Sequence, residues 1–222
     1  MPFEGFDPAA LALLGELPTF DKTRFEAARE TLARGIRRPG AALITELAEA
    51  LEPALTVDPR GSISPLHRDL RFAKPGSARY KDHLLMTTWQ GPDKKSAPML
   101  WLRVDSESVG FASGFGFTPE TRVRWREAVA ETRGETLARC IAELQRKHRR
   151  HDIEVAGSSL KRVPSPWDDG HPREDLLRRT GFQVRFREPL PKLASTAAFA
   201  TWCGKRLGDL MPVHRWLVSV LG

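Results

Sequence analysis

The residues with most capacity for chemistry are cationic and close together in the chain. Arg68, Arg71, Lys74, Arg79, Lys81 and His83 fall within one short segment that reads as loop, and Lys161, Arg162 and Arg173 add cations from later segments. A guanidinium offers a planar fork of N–H donors that matches phosphate or carboxylate oxygens in pairs, while an ammonium offers a compact charge. If folding gathers these groups, they form a basic pocket for a small anionic ligand bearing phosphate or carboxylate. Asp69 would orient an arginine in it, and Tyr80 and His171 complete the candidate ligand-binding set. The competing reading gives Asp69, Asp82 and Asp175 to structural ion pairs that fix loops onto a sheet, since paired charges arise for either reason.

Catalysis is left open by these residues. His83 and His171 have the intrinsic pKa for acid–base work near neutrality, with Asp69 or Asp169 to tune them. A polar cap before a helix explains His171 equally well, and a single structural hydrogen bond explains His83. Ser158-Ser159-Leu160-Lys161 spells the S-x-x-K of penicillin-recognising enzymes, but S-D-N and K-T-G are missing and prolines follow where that chemistry needs a helix start. His148 and His151 are too few for a zinc site, and Lys147, Arg149 and Arg150 around them oppose a cation. Gly110 to Gly116 only superficially suggests a nucleotide loop; glycines there suit close backbone packing in a strand. No cofactor and no metal are expected.

The elements that must position these groups follow from pattern. Asp7-Pro8 starts a short helix to about Leu14, because the carboxylate takes orphan N–H groups and the proline already has helical geometry. Asp21 opens a second helix with Phe25, Ala28, Leu32 and Ile36 at helical spacing. Arg37-Arg38-Pro39-Gly40 is expected to interrupt it before Leu43, Leu47 and Leu51 resume the pattern, and Pro53 to stop it. Residues 8–53 thus form a helical N-terminal layer. A sheet-rich middle spans 57–116, with strands at 83–89, 98–104 and 108–115 in an antiparallel meander joined through Gly91-Pro92-Asp93 and Asp105-Ser106-Glu107. Thr118-Pro119-Glu120 starts the helices of 119–150, which Gly134 is expected to divide. A strand near Ile153, a proline-rich loop, a short helix at His171-Pro172 and a strand at Phe182 to Arg187 fill 152–187. A C-terminal helix, 195–220, is expected to break near Pro212. The fold class is α+β: an antiparallel sheet of about four to six strands packed with N-terminal and C-terminal helices, in one domain over 1–222.

Three segments carry a resemblance. His67-Arg68-Asp69-Leu70-Arg71-Phe72 with Tyr80-Lys81-Asp82-His83, then Gly157-Ser158-Ser159-Leu160-Lys161-Arg162, then His171-Pro172-Arg173-Glu174-Asp175-Leu176-Leu177, resemble in order the bacterial and fungal family of unknown function numbered 2461 (DUF2461). Members of that family resemble R-D-x-R-F-x-K-D-K-x-P-Y-K-x-H, then S-L-K-R, then H-P with a leucine-bearing helix. The likeness extends over nearly the whole chain. It implies a mixed fold and brings no reaction with it. Two departures stand out: the looser Lys74-Pro75-Gly76-Ser77-Ala78-Arg79, and Met99-Leu100-Trp101-Leu102-Arg103 in place of a Tyr-rich strand.

Composition limits the alternatives. With 222 residues, 41% hydrophobic and 28% charged, the chain can bury a core, and no segment is low in complexity. No apolar stretch approaches the roughly 20 residues that a bilayer demands, so no membrane partner is expected. The start of the chain lacks the basic residues of an export signal, and Cys140 and Cys203 form no paired motif, so a cytoplasmic protein with reduced thiols is expected. The net charge of +7 favours anions without choosing among them. Two other classes remain: a nucleic-acid-binding module using the Arg146 to His151 basic run with Trp89 and Trp101, and a protein-interaction domain using the apolar C-terminal helix with Trp202, Leu207, Leu210, Trp216 and Leu217. Oligomeric state is not legible.

Overall fold

A computed structural model describes residues 2–51, 55–71, 73–91 and 93–222; Pro53, Phe72 and Pro92, used above as helix stop, motif residue and turn, lie outside the described residues. The architecture is α+β. Helices α1 (Pro8–Glu16), α2 (Lys22–Leu32) and α3 (Arg38–Leu51) precede strands β1 (Leu55–Thr56), β2 (His83–Gln90), β3 (Met99–Asp105) and β4 (Ser108–Gly116). Then come α4 (Pro119–Ala130), α5 (Thr132–Lys147), β5 (Glu154–Ala156), α6 (Glu174–Leu177), β6 (Gly181–Pro189) and α7 (Ala198–Leu221). The six strands form one antiparallel sheet in the order β1-β2-β3-β4-β6-β5. The meander is therefore present, and β1 and β5, two and three residues long, lie at the two ends.

The chain divides into two compact units, one of Met1–Thr88, Trp101–Gly110 and Glu188–Arg206, the other of Trp89–Leu100, Phe111–Arg187 and Leu207–Gly222. In the first, Asp7 caps α1 by accepting from the Ala9 N–H at 2.8 Å, and Asp21 caps α2 by accepting from Arg24 at 2.7 Å. The expected interruption at Arg37 to Gly40 does not occur. A π-turn, Ala33–Arg37, joins α2 to α3, with the Arg38 N–H reaching back to the Ala33 carbonyl. Pro39 has no N–H for the Gly35 carbonyl one turn earlier, and that oxygen instead accepts the Asp7 N–H at 3.1 Å. Gly35 allows this approach: a Cβ there would lie 2.5 Å from Ala10 Cβ. Leu43, Ile44 and Leu47 of α3 are buried, and Gly40 faces Leu84 and Met86 of β2.

In the second unit, Thr118 and Thr121 form a reciprocal capping box at the start of α4. Trp125 of α4 is fully buried among Phe117, Phe182 and Trp216, and its indole N–H donates to the Leu176 carbonyl at 2.8 Å. The break between α4 and α5 falls at Glu131, not Gly134. Gly134 sits in the first turn of α5 because a side chain there would collide with the Val129 carbonyl, 2.0 Å from an added Cβ. Gly114 of β4 likewise passes under the Phe182 carbonyl, 2.3 Å from an added Cβ, as close strand packing requires. At the β5 end, the Arg185 guanidinium donates to both Glu154 oxygens at 2.8 Å. The expected break at Pro212 is absent, and α7 continues through it. Among the described residues no helix is long and apolar enough to cross a membrane.

Candidate functional site

The segment before β2 is an irregular arm held by backbone pairing. Ile63 faces Met86 and His67 faces Tyr80 in antiparallel bridges, while Leu66 accepts from the Lys81 N–H at 2.8 Å and Arg79 from the Arg68 N–H at 2.9 Å. Tyr80 is buried and stacks on Phe25 at 4.0 Å, with the His67 ring edge-on to both. That aromatic footing fixes the arm's base and leaves its tip in solvent. Arg68, Asp69, Arg71, Lys74 and Arg79 are all exposed there.

The cations of the arm are not equivalent. Arg71 is turned back onto Asp69, with Nε 3.0 Å from Oδ1 and a terminal nitrogen 2.6 Å from Oδ2, and this contact holds the Asp69 carboxyl below its usual range. Arg68 Nε donates to the Tyr80 carbonyl at 3.3 Å and Lys81 Nζ to the Pro65 carbonyl at 2.9 Å. Among the described residues no carboxylate lies in ion-pair reach of Arg68, Lys74, Arg79 or Lys81. Burial, and then the Arg68 charge, push the Lys81 amine down.

Two residues beyond Lys81, His83 begins β2. Its Nδ1 lies 2.5 Å from Asp82 Oδ1 and 3.2 Å from a terminal nitrogen of Arg103 on the neighbouring β3. Arg103 also contacts Asp82 at 3.3 Å and pairs with Asp105, which accepts from the Glu107 and Ser108 N–H groups. Burial lowers the His83 pKa; the Asp82 contact opposes this, and the Arg103 and Lys81 charges add to it. Burial thus favours the neutral ring, and Nδ1 faces both a carboxylate, to which it can only donate, and a guanidinium, from which it can only accept. For Asp82, burial would raise the carboxyl, and His83 and Arg103 together bring it down.

The later candidates lie in the second unit and are used otherwise. Arg173 donates from Nε to the Val129 carbonyl at 2.6 Å and from a terminal nitrogen to that of Ala130 at 2.8 Å, closing the C-terminus of α4. Its guanidinium is thus engaged at that helix end. His171 Nδ1 accepts the Arg173 N–H at 3.0 Å, a local bond in the turn before α6. Asp175 pairs with Arg178. Ser158 shares a hydrogen bond with Thr180 at 2.7 Å, so its hydroxyl faces another partner than the S-x-x-K lysine. Lys161 and Arg162 are exposed.

The profile of a family described as a conserved hypothetical protein, DUF2461, matches residues 18–216. The chain belongs to the DUF2461 family. No curated protein matches it. The matched span includes the arm, the Asp82–His83–Arg103 group and the later basic segments, so each is DUF2461 sequence rather than an addition to it. Sequence reasoning missed Arg103. Its signal was strand alternation: Met99, Trp101 and Arg103 occupy the less buried positions of β3, and His83 and Leu85 those of β2.

Proposed function

We propose that the protein binds a small anionic ligand at the base of the arm, between Arg68, Lys81, His83 and Arg103. One observation supports this reading: four cationic or protonatable groups are consecutive electrostatic neighbours, and among the described residues the carboxylates that meet them, Asp82 and Asp105, pair with His83 and Arg103 and leave Arg68 and Lys81 without one. A phosphate or carboxylate placed against Arg68 and Lys81 would relieve their repulsion and oppose the lowering of the Lys81 pKa. Arg71, satisfied by Asp69, contributes less than its place in the motif suggests. His83 adds charge only when protonated, so binding strengthens as pH falls through its lowered pKa.

The test uses inorganic phosphate, pyrophosphate and citrate as probes, with thermal unfolding as readout. The wild type is expected to gain several degrees at millimolar probe. Arg68→Ala with Lys81→Ala should lose that gain while keeping the unliganded melting temperature, because the two cations repel each other and each gives up only one side-chain hydrogen bond to a carbonyl of the arm. Arg71→Ala should retain most of the gain. Unfolding of the double variant without ligand would assign the cations a structural role, and a wild type indifferent to all three anions would end the reading. A single-stranded oligonucleotide that stabilises where the small anions do not would favour nucleic acid instead.

A further inference from the structure

The first unit also contains a hollow of about 700 Å³ away from the arm, within the range of small-molecule sites. One wall is the helical run through the π-turn, where Glu30, Arg34 and Arg38 recur at intervals of four; the other carries Glu4, Asp7 and Ser195. Both walls are fixed. Glu4 stands between Phe3 and Phe6, whose buried rings pack on each other at 5.2 Å and on Phe199 at 6.1 and 6.0 Å. The Phe6 N–H donates to the Ala194 carbonyl at 2.9 Å, and the Asp7 N–H to Gly35 in the π-turn itself. With its neighbours anchored inward, the exposed Glu4 side chain is left on the hollow. Such a cleft needs no closing movement, which saves ordering entropy on binding.

The charges decide what fits. Arg38 lies 3.8 Å from Glu30, while Arg34 has no carboxylate in ion-pair reach among the described residues. Asp7 gives one oxygen to its own helix cap. A simple anion would meet Arg34 and Arg38 but also Glu4, Asp7 and Glu30, and a simple cation would meet the reverse. A ligand carrying both signs satisfies each wall, with its carboxylate on the arginine pair and its ammonium toward Glu4 and Glu30. We infer that this hollow is a second binding site, for a zwitterion of the amino-acid class: a free amino acid or short peptide with a primary ammonium and a carboxylate.

The experiment measures thermal shifts of the full chain with the 20 free L-amino acids and a set of X-Ala dipeptides, each at 5 mM. At least one zwitterion is expected to raise the melting temperature, and its N-acetyl and C-amide derivatives to bind at least tenfold more weakly by calorimetry. Arg34→Gln should abolish the effect, and Glu4→Gln should weaken the zwitterion while leaving the N-acetyl form unchanged. Because neither position belongs to the arm, pyrophosphate response in both variants should equal that of the wild type. Equal binding of a zwitterion and its N-acetyl form, undiminished binding in Arg34→Gln, or no response to any probe would overturn the inference, whatever the arm binds.

Discussion

His214 is buried in the second unit; among the described residues its one side-chain hydrogen-bond partner is Ser113 Oγ, 3.4 Å from Nδ1, and its Nε2 has none. Burial pushes its pKa down to about 4, and the Arg215 charge adds to this. In the unfolded chain the imidazole titrates near its ordinary value, about 6.5. Above that pH both states are neutral at this site. As pH falls from there toward 4, the unfolded chain takes the proton first, so stability is lost across that window, by about 3 kcal/mol in full. His214→Leu should flatten the fall in unfolding free energy between pH 7 and pH 4 in urea titrations; an unchanged slope would show that the imidazole protonates in place. Cys203, also fully buried, has its thiol pushed well up and should be inert to alkylation in the native state. Little of this was legible in the sequence, since a histidine in an apolar helix looks the same whether its face is covered or open. The cationic candidates were legible by type and spacing, but their partners were not: Arg71 with Asp69 is a local pair, whereas Arg173 closing α4 joins residues more than forty positions apart.

At the scale of elements, caps and strand alternation were readable because they are local. Asp7, Asp21 and Thr118 each accept the N–H that their position at a helix start implies. Breaks were misread where a residue serves tertiary contact. Pro39 and Pro212 are tolerated within helical runs, the first because the π-turn hands the unserved Gly35 carbonyl to Asp7. Gly134 looks like a helix breaker and is instead a contact point. Intrinsic propensity predicts that Gly134→Ala stabilises α5 by up to about 1 kcal/mol. The Val129 carbonyl and Arg173 Nε, 2.0 and 2.8 Å from the added Cβ, reverse the sign. The variant is expected to lose about 1–3 kcal/mol, as overpacking does, measured by chemical denaturation. A stabilised variant would mean that α4 and α5 part easily at Glu131.

For the whole molecule, the two compact units are not separated by linkers: their boundaries fall within β2, β3, β4, β6 and α7. We propose that the chain unfolds as one cooperative domain, because no strand or helix of that set can melt on one side of a boundary without breaking its own ladder. Calorimetric and van't Hoff enthalpies should then agree in a single transition; two resolved transitions would make the units independent domains. The net charge of +7 is a property of the whole chain, and the arm tip concentrates cations in one exposed segment.

The ends of the sheet carry a consequence for how the protein behaves when crowded. A bare strand rim invites another chain to continue the ladder, which is how fibrils begin. Here the end strands β1 and β5 are only two and three residues long, one of the ways in which sheet edges are blunted. Such short end strands give a crowded solution of the protein little template for stacked, irreversible polymer.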